Sequence, residues 1–238
     1  MQDFKYYKDP SPHVIIDDFL QPRAAAACLD EAIKLEPFYK QAEILQDDEF
    51  TKHLDECQSC RHSYELNRHV SRDNDILYLD ETFKGKLRQS TILSNIHKAF
   101  SNQQLGNYLA SLPCAIRLFS HCITTENLLS RYGKCDFYGW HTDTLPDTVA
   151  GRIITVVYYM NKEPEEFKGG ELIIIGKDTH TRKMILPKHN RAVIFESMWT
   201  THAVNTVKLE SDNFDSGRFS LNCWLGFTGP TNIGDVIG

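Results

Sequence analysis

From about residue 121 onward the chain is cut into short apolar runs, among them VVYYM, ELIII and AVIFE, separated by Gly, Pro and Asn turns. Runs this short, rich in β-branched and aromatic residues, build strands rather than helices. Strands with two apolar faces need a partner layer on each side. The pattern therefore predicts a mainly β core with supporting helices (α+β), a closed jelly-roll braced on one sheet. The first half of the chain carries the braces. HVIIDDF at 13–19 reads as a strand, and 22–35 as a helix opened by Pro22. Ala25, Cys28, Leu29, Ala32 and Ile33 form that helix's apolar stripe. Residues 81–112 hold two further helical patterns, one through Ile92, Leu93, Ile96 and Phe100, the other through Leu105, Tyr108, Leu109 and Leu112. Residues 1–120 thus form a support region, with room for a substrate-binding insert, and 121–230 form the core. The two are expected as one integrated domain.

The chemistry enters with RYGKCDFYGWHTD, residues 131–143, which ends in His141-x-Asp143. His202 follows 59 residues after Asp143. Two imidazoles and one carboxylate are the ligands of the facial triad, which holds ferrous iron on one side and leaves other positions open. Residues i and i+2 of a strand share a face, so His141 and Asp143 can grip one ion together. His202 must then arrive on a neighbouring strand. A second H-x-D, His53-x-Asp55, lies in a polar, cysteine-flanked segment without strands behind it.

Composition excludes several classes. A net charge of −6 argues against a surface that tracks phosphates, so nucleic acid is not the expected partner. MQDFKYYKDP carries no apolar signal-peptide segment, and no apolar run approaches the ~20 residues of a membrane span. Seven cysteines, an odd count, suit reduced thiols and a cytoplasmic setting.

Beyond the triad, RIITVVYYMN (152–161), GGELIII (169–175), PKHNRAVIFES (187–197) and RFSLNCW (218–224) follow in order. Together with the H-x-D and His202, these resemble the core of the prolyl 4-hydroxylase-like 2-oxoglutarate and Fe(II)-dependent dioxygenases over roughly 125–228. PHVIIDDFL resembles that family's entry strand, while 37–115 matches no family along its length. The resemblance implies a double-stranded β-helix that uses Fe(II), 2-oxoglutarate and O2 to hydroxylate an unactivated C–H bond. It makes His141, Asp143 and His202 the metal ligands and catalytic centre. Arg218 falls on the residue that pairs with the far carboxylate of 2-oxoglutarate, with Ser220 beside it in R-x-S. Tyr159 and Tyr132 fall on tyrosines of the co-substrate pocket, and Trp224 on an aromatic near the metal. An acidic residue at Asp143 implies hydroxylation rather than halogenation. The step of 16 residues from His202 to Arg218 is longer than the family's usual step. LESDNFDSG reads as an inserted loop, which leaves Arg218 as the expected anchor and Lys208, six residues after His202, as its rival. Cys135 stands where relatives carry glycine. Trp140 and Trp224 are expected in the core or pocket wall. The implied substrate is a prolyl or other residue of a protein or peptide. The alternatives are a small-molecule tailoring oxygenase, acting on a free or carrier-bound amino acid or metabolite, and a non-catalytic binding protein on the same fold.

HLDECQSCRH, residues 53–62, is a second constellation. His53-x3-Cys57-x2-Cys60 has zinc-like spacing and resembles the short zinc motif of bacterial anti-sigma factors. A structural zinc there would need a fourth ligand, for which none is obvious and His62 or Cys28 could serve. A redox pair is the other reading of the two thiols.

Overall fold

The computed structural model describes residues 4–42, 72–83, 89–100, 123–144, 151–176 and 181–227. The strands are β1 (Phe4–Tyr7), β2 (His13–Ile16), β3 (Lys40–Gln41), β4 (Arg72–Asp73), β5 (Asp75–Tyr78), β6 (Ile123–Tyr132) and β7 (Phe137–His141). After these come β8 (Arg152–Tyr159), β9 (Phe167–Gly169), β10 (Leu172–Ile175), β11 (Arg182–Ile185) and β12 (Ala192–Glu196). The last are β13 (His202–Val204), β14 (Val207–Leu209) and β15 (Arg218–Phe227). The helices are α1 (Pro22–Lys34), α2 (Leu79–Phe83) and α3 (Thr91–Phe100). Among the described residues the strands form an eight-stranded sheet, β1-β2-β12-β8-β15-β6-β5-β3, and a five-stranded sheet, β11-β10-β13-β7-β4. A small β14-β9 pair completes the set.

The larger sheet is buried on both faces, and the period-2 alternation of its strands decides which residue goes where. On β15, Phe219, Leu221, Cys223 and Leu225 join the outer core with Val156, Tyr158, Ala192 and Ile194. That core is closed by Ala25, Cys28 and Ala32 of α1 and by Ile92, Leu93 and Ile96 of α3. Between the sheets, Ile15, Val157, Tyr159, Val193 and Phe195 meet Leu172, Ile174 and Ile185 of the smaller sheet. The remaining inward residues of β15, which are Arg218, Ser220, Asn222 and Trp224, line a cavity instead.

The brace is tied by side chains as well as by packing. Glu31 of α1 accepts from the Ile92 N–H at 2.6 Å and from the Ser90 hydroxyl at 3.1 Å. Ser90 itself caps α3 through the Leu93 N–H. Asn190 clamps the loop after β2, accepting from Leu20 N–H and donating to Leu20 C=O. The second helical pattern expected within 81–112, through Leu112, lies outside the described residues, as do His53, Cys57, Cys60 and His62. No helix among the described residues is long and apolar enough to cross a membrane.

Candidate metal and co-substrate site

β13 pairs antiparallel with β7 so that His202 sits directly opposite His141. This is the neighbouring-strand arrival that the distant histidine requires. Asp143 departs from the expectation in one respect. β7 ends at His141, so Asp143 lies two residues past the strand, in the turn that follows. It is held there by its own N–H, which donates to Ser197 C=O at 3.2 Å. The three ligand atoms lie within 4.8 Å of one another. Both Nε2–carboxylate distances are 3.6 Å, too long for good hydrogen bonds and wide enough to admit an ion.

Backbone carbonyls orient the two rings. Nδ1 of His141 faces Gly139 C=O at 2.8 Å, and Nδ1 of His202 faces Thr200 C=O at 2.9 Å. A carbonyl only accepts, so each Nδ1 carries a proton and Nε2 is the nitrogen turned toward the cluster. The rings are also wedged by packing. Tyr138 stacks on His141 at 3.6 Å, and Phe195 lies 4.8 Å from His202. Burial and the neighbouring His141 push His202 down to about 4, which leaves it a neutral donor. Burial works to raise the Asp143 carboxyl. The neighbouring His202 and His141 and the Thr155 hydroxyl outweigh it and hold Asp143 well below the usual carboxylate range. A neutral His202 and an ionised Asp143 are protonation states that suit a divalent metal. The donor set therefore fits ferrous iron.

The same cavity, of about 290 Å³, contains Arg218 at its other end. Arg218 is 1% exposed, and among the described residues no carboxylate pairs with it. Its Nε donates to Gly170 C=O at 2.9 Å and its Nη1 to Ser220 Oγ at 3.1 Å. Tyr132 and Tyr159 turn their rings toward the guanidinium, with centroids 4.6 and 4.9 Å from its carbon. Burial pushes both phenols up, so they remain neutral donors. Tyr159 Oη is buried without a hydrogen-bond partner. The GG of GGELIII makes room for this arrangement. Gly170 has φ +69°, and a Cβ there would come within 2.9 Å of Arg218 Cδ. A buried cation and an unsatisfied phenol in one cavity are costly unless an anion completes them. This end therefore fits a dicarboxylate such as 2-oxoglutarate.

The other expected residues fall as follows. Trp224 lines the cavity beneath Arg152, whose guanidinium lies 3.7 Å from its ring. Tyr158 faces the outer core and donates to Asn190, while its neighbour Tyr159 faces inward. Lys208 is exposed on β14, across from Lys168 of β9 and away from the cavity. Trp140 was expected in the core or pocket wall and is instead on the surface, 46% exposed, because it alternates with the inward His141 on β7. Cys135 has φ +70°, the left-handed conformation for which glycine is the easy residue. Among the lining residues that escaped the sequence reading are Arg72, Arg152 and Thr155. Thr155 left a signal, as the polar residue inside the otherwise apolar run IITVVYY. Arg72, on a two-residue strand, left none.

Comparisons with known proteins bear on this arrangement. Residues 128–226 match the model of the 2OG-Fe(II) oxygenase superfamily. The chain is 32% identical over 107 residues to an uncharacterised PKHD-type hydroxylase of Synechocystis, covering 42% of this chain and 35% of that protein. The chain thus spans about a third of that curated relative. A Pseudomonas putida prolyl-4-hydroxylase superposes with a TM-score of 0.56 at 20% identity, over 90% of this chain and 92% of that one. A Trichoplax adhaerens prolyl hydroxylase, solved with a peptide fragment of the hypoxia inducible factor oxygen degradation domain, gives 0.60 at 18% identity, over 90% and 83%. At these identities the two structures show a shared fold, the double-stranded β-helix.

Proposed function

We propose that this chain, whose residues 128–226 match the model of the 2OG-Fe(II) oxygenase superfamily, is a non-haem iron, 2-oxoglutarate-dependent hydroxylase acting on a residue of a protein or peptide. One observation carries the reading. A His-Asp-His cluster and a buried arginine without a carboxylate partner face the same cavity. In this reading His141, Asp143 and His202 hold the iron on one face. Arg218 binds the far carboxylate of 2-oxoglutarate with its planar fork, steadied by Ser220 and by the backbone carbonyl of Gly170. Tyr159 gives that carboxylate its unused proton, and Tyr132 walls the cavity.

When bound, the iron, the keto acid and dioxygen together supply the oxidant that converts C–H to C–OH, with succinate and carbon dioxide as co-products. The protein's own residues do the rest. The two histidines keep their protons on Nδ1 and their lone pairs on Nε2. The apolar walls at Leu128, Val157, Leu172 and Val204 keep bulk water from the reacting centre. The prolyl hydroxylase names of the two superposed structures, one of them with a bound peptide, support a peptide substrate. The N-terminal half belongs with the same folding unit in this reading, since β1, β2, β3 and β5 complete the larger sheet.

The test is a succinate-release screen over prolyl and non-prolyl peptides, free amino acids and metabolites, with added Fe(II) and 2-oxoglutarate. Peptide-dependent succinate with one added oxygen atom on the peptide is the expected result. Turnover on metabolites alone would replace the peptide reading with the tailoring one. Iron binding without any 2-oxoglutarate binding would overturn the oxygenase reading.

A further inference from the structure

The carboxylate of Asp143 is gripped, on the oxygen nearer His202, by buried hydroxyls for which neither the iron nor the co-substrate accounts. Thr155 Oγ1 lies 2.6 Å from Asp143 Oδ2. Ser197 Oγ lies 2.9 Å from Thr155 Oγ1. Thr155 is 1% exposed and Ser197 fully buried. A hydroxyl has one proton to donate, and a carboxylate that ligates a metal only accepts. Thr155 therefore donates to Asp143, and its contact with Ser197 must run the other way, from Ser197 to Thr155. The direction of the chain is fixed: Ser197 to Thr155 to Asp143. The backbone closes it into a ring. Ser197 C=O accepts from the Asp143 N–H at 3.2 Å, and the Ser197 N–H donates to Ile153 C=O at 2.9 Å. Side chain and main chain of one serine thus set both the position and the tilt of the metal-binding turn that lies beyond the end of β7.

We infer that Thr155, itself oriented by Ser197, is a positioning residue that engages Asp143 Oδ2 and reserves Oδ1 for the metal, so that the carboxylate binds through one oxygen. The inference rests on the metal-site reading given above. Its weight comes from counting positions. A divalent first-row ion offers roughly six. Two histidines and a one-oxygen carboxylate use three, and a keto acid that chelates through two oxygens leaves one for dioxygen. A carboxylate gripping with both oxygens would close that last position. A strong hydrogen bond to one oxygen is the simplest device against it, because a short bond to a charged acceptor is about twice as strong as a neutral one. The branched Thr155 side chain suits the task. Its χ1 is restricted, and it lines the cavity on β8 opposite Trp224 of β15.

The test uses the full chain loaded with Co(II), whose visible absorption reports coordination number. Thr155→Val keeps the branched shape and removes the hydroxyl; Thr155→Ser restores it. We expect Thr155→Val to weaken Co(II) binding about 10- to 100-fold, with a changed visible band and a lowered melting temperature from the Ser197 hydroxyl it leaves unpaired, and Thr155→Ser to return affinity to within about threefold of the parent. Parent-like affinity and band in Thr155→Val would overturn the inference, since a merely structural threonine leaves the metal untouched. If Thr155→Val does not fold, Ser197→Ala carries the same comparison, with a smaller loss expected, and parent-like binding there overturns it equally. A parent chain that does not bind Co(II) would instead overturn the metal-site reading itself.

Discussion

The two ends of the cavity are built on opposite principles. The metal end is drawn from the smaller sheet, β7 and β13, and its polar atoms find their partners within the protein. Asp143 faces two imidazoles, every Nδ1 has its carbonyl, and Oδ2 has its hydroxyl. The other end is drawn from the larger sheet, β6, β8 and β15, and it does not balance. Arg218 is buried with one backbone carbonyl, one serine hydroxyl and no carboxylate among the described residues, beside a phenol with no partner. A balanced site can persist without its ligand. An unbalanced one stores the cost of a desolvated cation until an anion arrives. The chain has placed its deficit where a doubly charged co-substrate would fill it.

The largest effect expected from this contrast is at the balanced end. His141→Ala or His202→Ala removes a ligand rather than a support, so metal affinity should fall by more than the roughly 10- to 100-fold that loss of a supporting residue costs. Metal analysis and Co(II) titration of the purified variants read this directly, and binding of 2-oxoglutarate with the metal present should fall with it. Parent-like metal content in either variant would place the ion elsewhere, with the cysteine-flanked His53 segment as the next site to examine.

At the unbalanced end the loss should be large for the co-substrate and absent for the metal. Arg218→Ala removes a charge-assisted pair worth about 1.5–3 kcal/mol, which corresponds to a roughly 10- to 150-fold weaker hold on 2-oxoglutarate. Co(II) binding without co-substrate should be unchanged. The variant should also lose nothing in stability from the charge itself, because removing an uncompensated buried cation relieves its desolvation. Titration of 2-oxoglutarate against Co(II)-loaded protein, beside a thermal melt, separates the two ends. A parallel loss of metal and co-substrate would mean that they are one cooperative unit.

Tyr159→Phe sharpens the same contrast with a smaller change. Its hydroxyl is unpaired in the free protein, so its removal should leave the melting temperature level or slightly raised. The co-substrate should bind more weakly by the worth of one neutral hydrogen bond, about 0.5–1.5 kcal/mol or roughly 2- to 12-fold. A destabilised variant with unchanged co-substrate binding would make Tyr159 a core residue only.

How much of this could be read from the residues follows from which interactions are local. Strand alternation put Arg218 and Ser220 on one face of β15, and Pro22 with the Ala25–Ala32 stripe gave α1 to within a residue. His141-x-Asp143 was visible as a pair because its ligands are two residues apart. What was not visible depends on contacts between distant segments. Asp143 sits past the end of β7 because Ser197, 54 residues on, holds its backbone. Trp140 faces solvent because the outer face of the smaller sheet carries no described layer above it, a matter of tertiary arrangement and not of hydrophobicity. Arg72 reaches the cavity from a strand of two residues, which no periodicity can announce.

The smallest expected effect is also the sharpest check on the anchor. Lys208 stands six residues after His202 with no inserted loop between, whereas Arg218 is reached only across LESDNFDSG. In the fold the extra residues are taken up by β14 and the short turn at Phe214–Ser216, and β15 then begins at Arg218 beside Tyr132. Lys208 points away on the β14-β9 pair, where its neighbours across the strands are Lys168 and its flanking residues Val207 and Leu209 turn inward. Lys208 is exposed there, and its replacement should cost less than about 0.5 kcal/mol in stability. Lys208→Ala should therefore leave 2-oxoglutarate binding within about twofold of the parent, a difference worth about 0.4 kcal/mol. A co-substrate titration in which Lys208→Ala loses tenfold or more while Arg218→Ala does not would reverse the two roles, and would require the β14-β9 pair to fold over the cavity in the loaded protein.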